Sequence, residues 1–346
     1  MIELSKAIRL VGLSHMRKLK RGYEVGWEEM FRGYFSTMTM QTLLNVGFID
    51  ELLHEGRVNV KTFAAARNLD PRILKALCES FYSLSLFQKE DSTYSLDSKG
   101  ELLVEVLRGW FDVSYGYNEI FQFLEPLLRK EKVYGRDLGR RSDFVAKGSG
   151  EMENFLFFPL AIDIIAHEGY EKVLDLGCGD GTFLRELCLV NPDVTAVGID
   201  LAPEAIEDGK RRAREAGLQD RIHLFAKDVC KLETVPEPME GVEAATIFFV
   251  LHEILHAGEE KVIEFLRSFR SLFPGVPLIV FEALRPTAEE MRKRPGIAIY
   301  YFLYHDLSNQ KPATPKKWRQ LFRDAGFQSV QERFLGFARA GIYIIR

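Results

Sequence analysis

Two histidines, His252 and His256, lie four residues apart and flank Glu253 in the stretch H-E-I-L-H. On a helix this spacing puts both imidazoles on one face, where they can bind zinc, with the glutamate as the general base of a metalloprotease. The motif is short and false positives are frequent. Gly258 interrupts the segment, the next predicted helix starts at Glu259, and no third ligand is apparent. We therefore expect no protease, and we predict that His256 is a loop or surface residue.

The second half of the chain alternates short apolar runs with charged helical stretches. From residue 171 the apolar runs are KVLDLG, VTAVGID, IHLFAKD, AATIFFV and PLIVFEA. Short apolar strands interleaved with amphipathic helices are typical of a doubly wound α/β fold, with a parallel sheet covered on both faces. Ligands of such sheets bind beyond the carboxyl ends of the strands. His252 follows the fourth run, so we expect it at that edge.

The first strand ends in DLGCGDGTF, a glycine-rich loop that suits a nucleotide. Glycine lets a backbone turn tightly and approach a ligand closely. Carboxylates follow at the ends of the next two strands, where they can bond ribose hydroxyls and the adenine amino group. The residues of this predicted site are Asp175, Gly177, Gly179, Gly181, Asp200 and Asp228.

The spacing D-x-G-x-G-x-G, rather than G-x-G-x-x-G, separates the loop from a dehydrogenase. The block from about residue 150 to 346 resembles the class I S-adenosylmethionine-dependent methyltransferases. This resemblance implies a seven-stranded sheet whose last strand, at 340–346, is inserted antiparallel. It also implies that S-adenosylmethionine binds here through its methionine, ribose and adenine parts. The residues that would contact these parts are Asp175, Gly177, Gly179, Gly181, Asp200, Leu201, Asp228 and Val229.

The first third of the chain predicts a mostly helical domain that ends in a hairpin. Phe31 and Phe35 follow the spacing of a core-facing helix, and Asp70 before Pro71 predicts a helix N-terminus. The stretch LFQKEDSTYSLDSKG alternates around the polar turn 90–92, which predicts a hairpin. Helices followed by a hairpin predict a winged helix. Its recognition helix lacks the basic stripe of a DNA reader, so we expect packing or dimerisation instead.

A winged helix before a methyltransferase domain resembles the small-molecule O-methyltransferases. In that family a histidine matching His252 removes the proton of a hydroxyl group. The stretch YFLYHDL, with His305 and Asp306, resembles the α-keto acid C-methyltransferases instead. This second resemblance implies that His252 and His305 hold a metal, iron or zinc, which chelates the substrate enolate. It also implies that Arg136, in the loop YGRD, lies near the substrate.

Several roles stay open at this level. Glu253 or Asp306 would remove the substrate proton or orient the imidazoles. His252 would act as a base alone in the O-methyltransferase alternative, and His305 would then be a core residue. A winged-helix regulator that only senses S-adenosylmethionine is a remote alternative, because it predicts a basic recognition helix.

Bulk properties limit the partners. A net charge of −4 favours neither nucleic acid nor an anionic membrane. No apolar stretch approaches a membrane span, and four cysteines without framework spacing indicate reduced thiols and a cytoplasmic protein.

We predict a dimerisation domain at 1–105, bridging helices and a substrate loop at 106–165, and a catalytic domain at 166–346. The family resemblance implies a homodimer that acts on a small molecule.

Overall fold

The computed structural model describes residues 4–234, 239–294, 296 and 298–346. It divides into two compact units, Met1–Tyr115 and Gly116–Arg346. The functional division into a dimerisation domain, bridging helices and a catalytic domain remains a prediction. None of the described helices is long and apolar enough to cross a membrane.

The first unit is mostly helical and carries a small antiparallel sheet. Its helices are α1 (Leu4–Val11), α2 (Leu13–Glu24), α3 (Trp27–Asn45), α4 (Phe48–Glu55), α5 (Val60–Ala66), α6 (Pro71–Ser83) and α7 (Ser98–Gly116). Its strands are β1 (Val58–Asn59), β2 (Phe87–Glu90) and β3 (Thr93–Leu96), in the order β1-β3-β2. The predicted hairpin is therefore confirmed, and its turn contains Asp91 with a φ of +53°.

Local signals explain where α6 begins, whereas the prediction for α3 was wrong in part. Asp70 accepts hydrogen bonds from the backbone N–H groups of Arg72 and Ile73 at 2.8 and 3.2 Å, so it caps α6 as expected. In α3, however, Phe31 is 57% and Phe35 is 61% exposed. The spacing identified an apolar stripe correctly, but the described part of this chain does not bury it.

The second unit alternates helices and strands. Its helices are α8 (Asn118–Gln122), α9 (Leu124–Leu128), α10 (Ser142–Glu168), α11 (Thr182–Val190), α12 (Pro203–Glu215), α13 (Leu251–His256), α14 (Glu259–Leu272), α15 (Ala288–Lys293), α16 (Ala298–Leu307) and α17 (Pro315–Asp324). Its strands are β4 (Lys172–Leu176), β5 (Thr195–Asp200), β6 (Ile222–Ala226), β7 (Ala244–Phe248), β8 (Leu278–Ala283), β9 (Val330–Leu335) and β10 (Ala340–Ile345).

The seven strands form one sheet in the order β6-β5-β4-β7-β8-β10-β9. The first five in this order pair in parallel, whereas β10 lies between β8 and β9 and pairs antiparallel with both. The predicted α/β sheet and its inserted antiparallel strand are confirmed. Apolar clusters cover both faces. The strand order reverses between β4 and β7, so the carboxyl ends of these two strands form the crevice where such sheets bind ligands.

Candidate active site

The loop after β4 crosses the carboxyl edge of the sheet on three glycines with positive φ: Gly177 at +83°, Gly179 at +54° and Gly181 at +69°. Residues with side chains rarely adopt such angles. A Cβ atom on Gly177 would also lie 2.6 Å from Cγ2 of Val250, so this close approach to the segment after β7 requires glycine. The N–H of Gly179 donates to Oδ2 of Asp200 at 2.9 Å, which ties the loop to the next strand.

Two of the predicted carboxylates are held at the edge of the sheet by backbone N–H groups. Asp200, the last residue of β5, also accepts from the N–H of Ala202 at 2.8 Å. Asp228, two residues after β6, accepts from the N–H of Cys230 at 2.9 Å. Because β5 and β6 are parallel neighbours, both carboxylates lie on the same side of the glycine loop. Leu201, the next residue of the predicted cofactor site, is 71% exposed at this edge.

The third carboxylate, Asp175, has a different environment. Its side chain is 1% exposed, and Oγ1 of Thr246 in β7 donates to its Oδ1 at 2.7 Å. Burial is the main reason why the pKa of Asp175 rises to about 7, and the charge of Asp200 adds to the rise. The carboxyl therefore bonds β4 to β7 beneath the loop.

His252 lies in the first turn of α13, directly beyond β7, and is 3% exposed. Glu282 of β8, which is completely buried, accepts from the backbone N–H of His252 at 3.1 Å and lies 2.9 Å from its Nδ1. Burial by itself lowers the pKa of His252, but the charge of Glu282 and this hydrogen bond outweigh burial and raise it. Since the carboxylate only accepts, we assign a proton to Nδ1, and in the neutral form of the ring Nε2 then keeps a lone pair.

His305 lies in α16 and is 5% exposed. Its Nδ1 lies 2.6 Å from the carbonyl oxygen of Tyr301, so this nitrogen is the donor and Nε2 again keeps the lone pair. Burial is the main reason why the pKa of His305 falls to about 3, and the charges of His252 and Arg140 lower it further. His305 is therefore a neutral imidazole at physiological pH.

The two imidazoles converge. The ring centroids of His252 and His305 are 5.0 Å apart, at an interplanar angle of 62°. The prediction that these distant histidines meet is confirmed. His256 does not join them: it lies at the exposed end of α13. Within the described residues, no group of three or more His, Cys, Asp or Glu side chains is arranged to hold a metal.

A closed set of hydrogen bonds borders the histidine pair. Oε1 of Glu253 accepts from Nη2 of Arg140 and from Nε2 of Gln310, both at 2.7 Å. The hydroxyl of Tyr117 lies 3.3 Å from Nη1 of Arg140 and 3.4 Å from Oε1 of Gln310. The four side chains come from separate segments of the chain. Together they hold the guanidinium group of Arg140 against Glu253, the residue that follows His252.

Comparisons with known proteins find methyltransferases. Residues 167–326 match the model of a methyltransferase domain. The chain is 28% identical over 309 residues to the 2-ketoarginine methyltransferase of Streptomyces arginensis, covering 87% of this chain and 88% of the relative. It is 25% identical to the 3-amino-4-hydroxybenzoate 4-O-methyltransferase of Streptomyces cremeus, covering 87% of this chain and 84% of the relative.

The chain is a class I S-adenosylmethionine-dependent methyltransferase. Its fold is shared by the crystal structure of human N-acetylserotonin methyltransferase in complex with S-adenosylmethionine. The two chains have a TM-score of 0.64 and 16% sequence identity, and the match covers 94% of this chain and 97% of the human one. The methyltransferase is an enzyme, so the regulator alternative is not retained.

Two residues that sequence analysis placed in the methyltransferase site have other partners. Arg136 is exposed and pairs with its neighbour Asp137 at 2.8 Å. Asp306 forms a bidentate ion pair with Arg285, at 2.7 and 2.6 Å. The structure does not bring either of them into the hydrogen-bonded set around Glu253.

Sequence reasoning missed three residues that border the histidine pair: Glu282, Arg140 and Gln310. Glu282 had a signal, because it is the one charged residue in the apolar run PLIVFEA. Arg140 was visible in the same loop as Arg136, but nothing in the sequence distinguished the two. Gln310 had no signal, since its role depends entirely on packing.

Proposed function

We propose that this methyltransferase transfers a methyl group to the carbon next to the carbonyl of an α-keto acid. The observation that carries the proposal is the convergence of His252 and His305, each with Nδ1 bonded and Nε2 left as a donor of a lone pair. The similarity to a relative named 2-ketoarginine methyltransferase supports the same class of acceptor.

The two histidines fit a metal ion in their chemistry. Imidazoles that bind metals usually donate their other ring nitrogen to a carboxylate or a backbone carbonyl, and here the acceptors are Glu282 and the carbonyl of Tyr301. Imidazole with oxygen ligands suits iron or zinc. Such an ion would supply a Lewis acid that stabilises negative charge on the acceptor. Two imidazoles are the ligands that this proposal assigns to the protein, and the oxygens of the keto acid would complete the set.

Arg140 is the residue to which we assign the acceptor carboxylate. Its guanidinium is held by Glu253 and Tyr117, and its side chain is 21% exposed. Burial by itself lowers the pKa of Arg140, but Glu253 and Tyr117 outweigh burial and raise it, so the group stays charged. A fixed, charged guanidinium can form two parallel bonds with a carboxylate.

Glu253 is the carboxylate to which we assign removal of the acceptor proton. Its Oε1 accepts the two bonds from Arg140 and Gln310, so the group has a fixed position beside His252. Asp306, the other candidate, is held by both oxygens in its pair with Arg285.

The methyl donor fits the glycine loop. S-adenosylmethionine supplies a methyl group on a positively charged sulfur. Gly177 of the loop is packed against Val250, two residues before His252, so the donor loop and the histidine pair lie at adjacent strand ends. The chain thus offers one place for a nucleoside donor and a neighbouring place for an acceptor.

A second candidate function is O-methylation of a phenol or similar hydroxyl. The observation that favours it is the buried pair of His252 and Glu282, which suits an imidazole base oriented by a carboxylate. The relative named 3-amino-4-hydroxybenzoate 4-O-methyltransferase supports this alternative. In that mechanism His305 has no chemical role.

One experiment distinguishes the two candidates. The enzyme is incubated with methyl-labelled S-adenosylmethionine and a panel of keto acids and phenols, and the position of the label is determined by NMR. C-methylation predicts label on the carbon beside the carbonyl. Label on oxygen alone contradicts the main proposal and supports the second.

Metal analysis of purified wild type and two variants gives an independent test. His305→Ala is expected to lose the metal and the activity, whereas the matched control His256→Ala, an exposed histidine, keeps both. A His305→Ala variant that is as active as wild type, with neither protein containing metal, would contradict the chelation mechanism.

We also propose that the first unit forms a homodimer. Apolar side chains in and between α1, α2 and α3 are exposed to an extent that single folded chains rarely show. These residues are Leu10, Val11, Leu13, Leu19, Tyr23, Val25, Trp27, Met30, Phe31, Tyr34 and Phe35. Analytical ultracentrifugation is expected to give a dimer for wild type and a monomer for the double variant Phe31→Asp and Phe35→Asp. A wild-type monomer at micromolar concentration would contradict this proposal.

A further inference from the structure

Glu153 is a carboxylate of α10 on the side that packs over the carboxyl edge of the sheet. One helical turn later, the ring of Phe157 lies 4.9 Å from that of Phe249 and 6.1 Å from that of Phe281. Residues four apart share one face of a helix. Phe249 directly follows β7, and Phe281 directly precedes Glu282 in β8. Glu153 is therefore on the helix face that covers the ends of these two strands.

This carboxylate has no compensating positive charge within the described part of the chain. Asp175 receives a hydrogen bond from Thr246, and Glu282 receives two from His252. Glu153 has neither an ion pair nor a hydrogen bond with any described residue. Burial first, and then the charges of Asp175 and Glu282, raise the pKa of Glu153 well above its usual range.

An acidic group in this position is unfavourable for the folded protein by itself. A half-buried carboxyl without a partner costs stability, and neighbouring negative charges increase the cost. Carboxyls with strongly shifted pKa values concentrate at functional sites. Glu153 keeps some solvent exposure, as a side chain must if a ligand is to reach it.

We propose that Glu153 binds a positively charged nitrogen group, an ammonium or a guanidinium, of a ligand held at this edge of the sheet. Two ligands can supply that chemistry. One is the methyl donor, whose methionine part carries an ammonium group. The other is an acceptor keto acid with a cationic side chain, an alternative that rests on the proposed function. Either would place opposite charge beside Glu153, Asp175 and Glu282.

The test compares Glu153→Gln, which keeps the shape and removes the charge, with two controls. Glu153→Asp keeps the charge, and Asp163→Asn removes an exposed carboxylate from the same helix. Calorimetry measures the Kd of S-adenosylmethionine. It also measures, with S-adenosylhomocysteine present, the Kd values of two keto acids of equal length, one ending in guanidinium and one in a methyl group.

Each outcome shows whether the methyl donor or the acceptor keto acid supplies the cationic group that Glu153 binds. If the donor is the ligand, Glu153→Gln raises the Kd of S-adenosylmethionine about tenfold or more, and Asp163→Asn does not. If the acceptor is the ligand, wild type prefers the guanidinium acid by a similar factor, Glu153→Gln loses this preference, and donor affinity is unchanged. Glu153→Asp is expected to retain part of either effect.

Two results together overturn the proposal: Glu153→Gln has a Kd for the donor within twofold of wild type, and the ratio of its affinities for the two keto acids is unchanged. The proposal is also overturned if donor affinity is unchanged and wild type binds neither acid. Should Glu153→Gln not fold, Glu153→Leu replaces it, because an apolar residue removes the unpaired carboxyl without leaving a polar group buried. Donor affinity does not depend on whether carbon or oxygen is methylated, so its result stands even if the proposed C-methylation fails.

Discussion

Glu282 accepts two hydrogen bonds from His252, one from the backbone N–H at 3.1 Å and one from Nδ1 at 2.9 Å, across a separation of 30 residues. The first bond satisfies one of the free N–H groups at the start of α13, where a negative charge is favourable. The second fixes the orientation and tautomer of the imidazole. One buried carboxylate thus positions both the helix and the ring.

Replacing Glu282 is expected to reduce catalysis severely. In Glu282→Gln the amide NH₂ can face Nδ1 and favour the tautomer with the proton on Nε2, which removes the lone pair from the site. We expect kcat to fall by about 100-fold, in line with other residues that orient metal ligands or catalytic histidines. Steady-state kinetics measure the effect, and Glu264→Gln, an exposed glutamate in α14, is the control. A loss of less than about threefold would show that Glu282 does not orient the ring.

Removal of metal is expected to abolish activity under the main proposal. Dialysis against a chelator should leave a folded protein with no turnover of keto acids, and added iron or zinc should restore it. We assign the metal only to the pair of His252 and His305, so the fold is expected to survive its removal. Circular dichroism checks this. If metal analysis confirms that the protein is metal-free and the protein is still fully active, the base mechanism is favoured instead.

Two arginines of one loop are expected to behave differently. Arg140→Gln removes the guanidinium that Glu253 and Tyr117 hold, so the KM of the keto acid should rise about 10- to 100-fold. Arg136→Gln removes an exposed pair with Asp137 and should change KM by less than twofold. Steady-state kinetics at saturating S-adenosylmethionine provide the comparison. If the two variants have equal KM values, Arg140 does not bind the acceptor.

The donor loop is expected to tolerate no side chain at its first glycine. Gly177→Ala combines a positive φ with a Cβ atom 2.6 Å from Val250. Gly217→Ala is the matched control, because Gly217 has a φ of +70° and nothing within 4 Å of its Cβ position. We expect the control to lose about 1 kcal/mol of unfolding free energy, and Gly177→Ala to lose a few kcal/mol and to bind the donor at least tenfold more weakly. Chemical denaturation and calorimetry measure these quantities, and equal losses would show that the loop shifts to accept the methyl group.

The sheet and the donor loop could be predicted because their signals are local. Apolar runs of strand length, glycines at fixed spacing and a carboxylate at a strand end all reflect the backbone within a few residues. The inserted strand β10 and the meeting of His252 with His305 followed from family resemblance, since no local pattern relates residues 53 positions apart. The position of Gln310 depends on three other segments, and no signal of this kind exists for it in the sequence.

The same limit explains the arginine loop and the apolar stripe of α3. The family resemblance placed Arg136 near the substrate, but which arginine of this loop turns inward depends on Glu253 and Tyr117, which belong to other segments. For Phe31 and Phe35 the spacing predicted an apolar helix face correctly. Spacing does not tell whether the same chain or a second molecule covers that face, so the core assignment failed.

The buried Asp175 is expected to make the stability of the methyltransferase depend on pH. Its pKa is raised to about 7 in the folded protein, from a usual value of 3.8. A raised folded pKa means that the stabilising contribution is complete below pH 3.8 and is lost as pH rises through 7. The free energy of unfolding of wild type, relative to Asp175→Asn, should therefore fall as pH rises from 5 to 8, by roughly 3 kcal/mol, because about two of the roughly three pKa units of the shift lie in this range. Urea denaturation without S-adenosylmethionine at several pH values measures the difference, with Asp163→Asn as an exposed control. Parallel pH profiles for wild type and Asp175→Asn would show that the carboxyl stays ionised against Thr246 throughout this range.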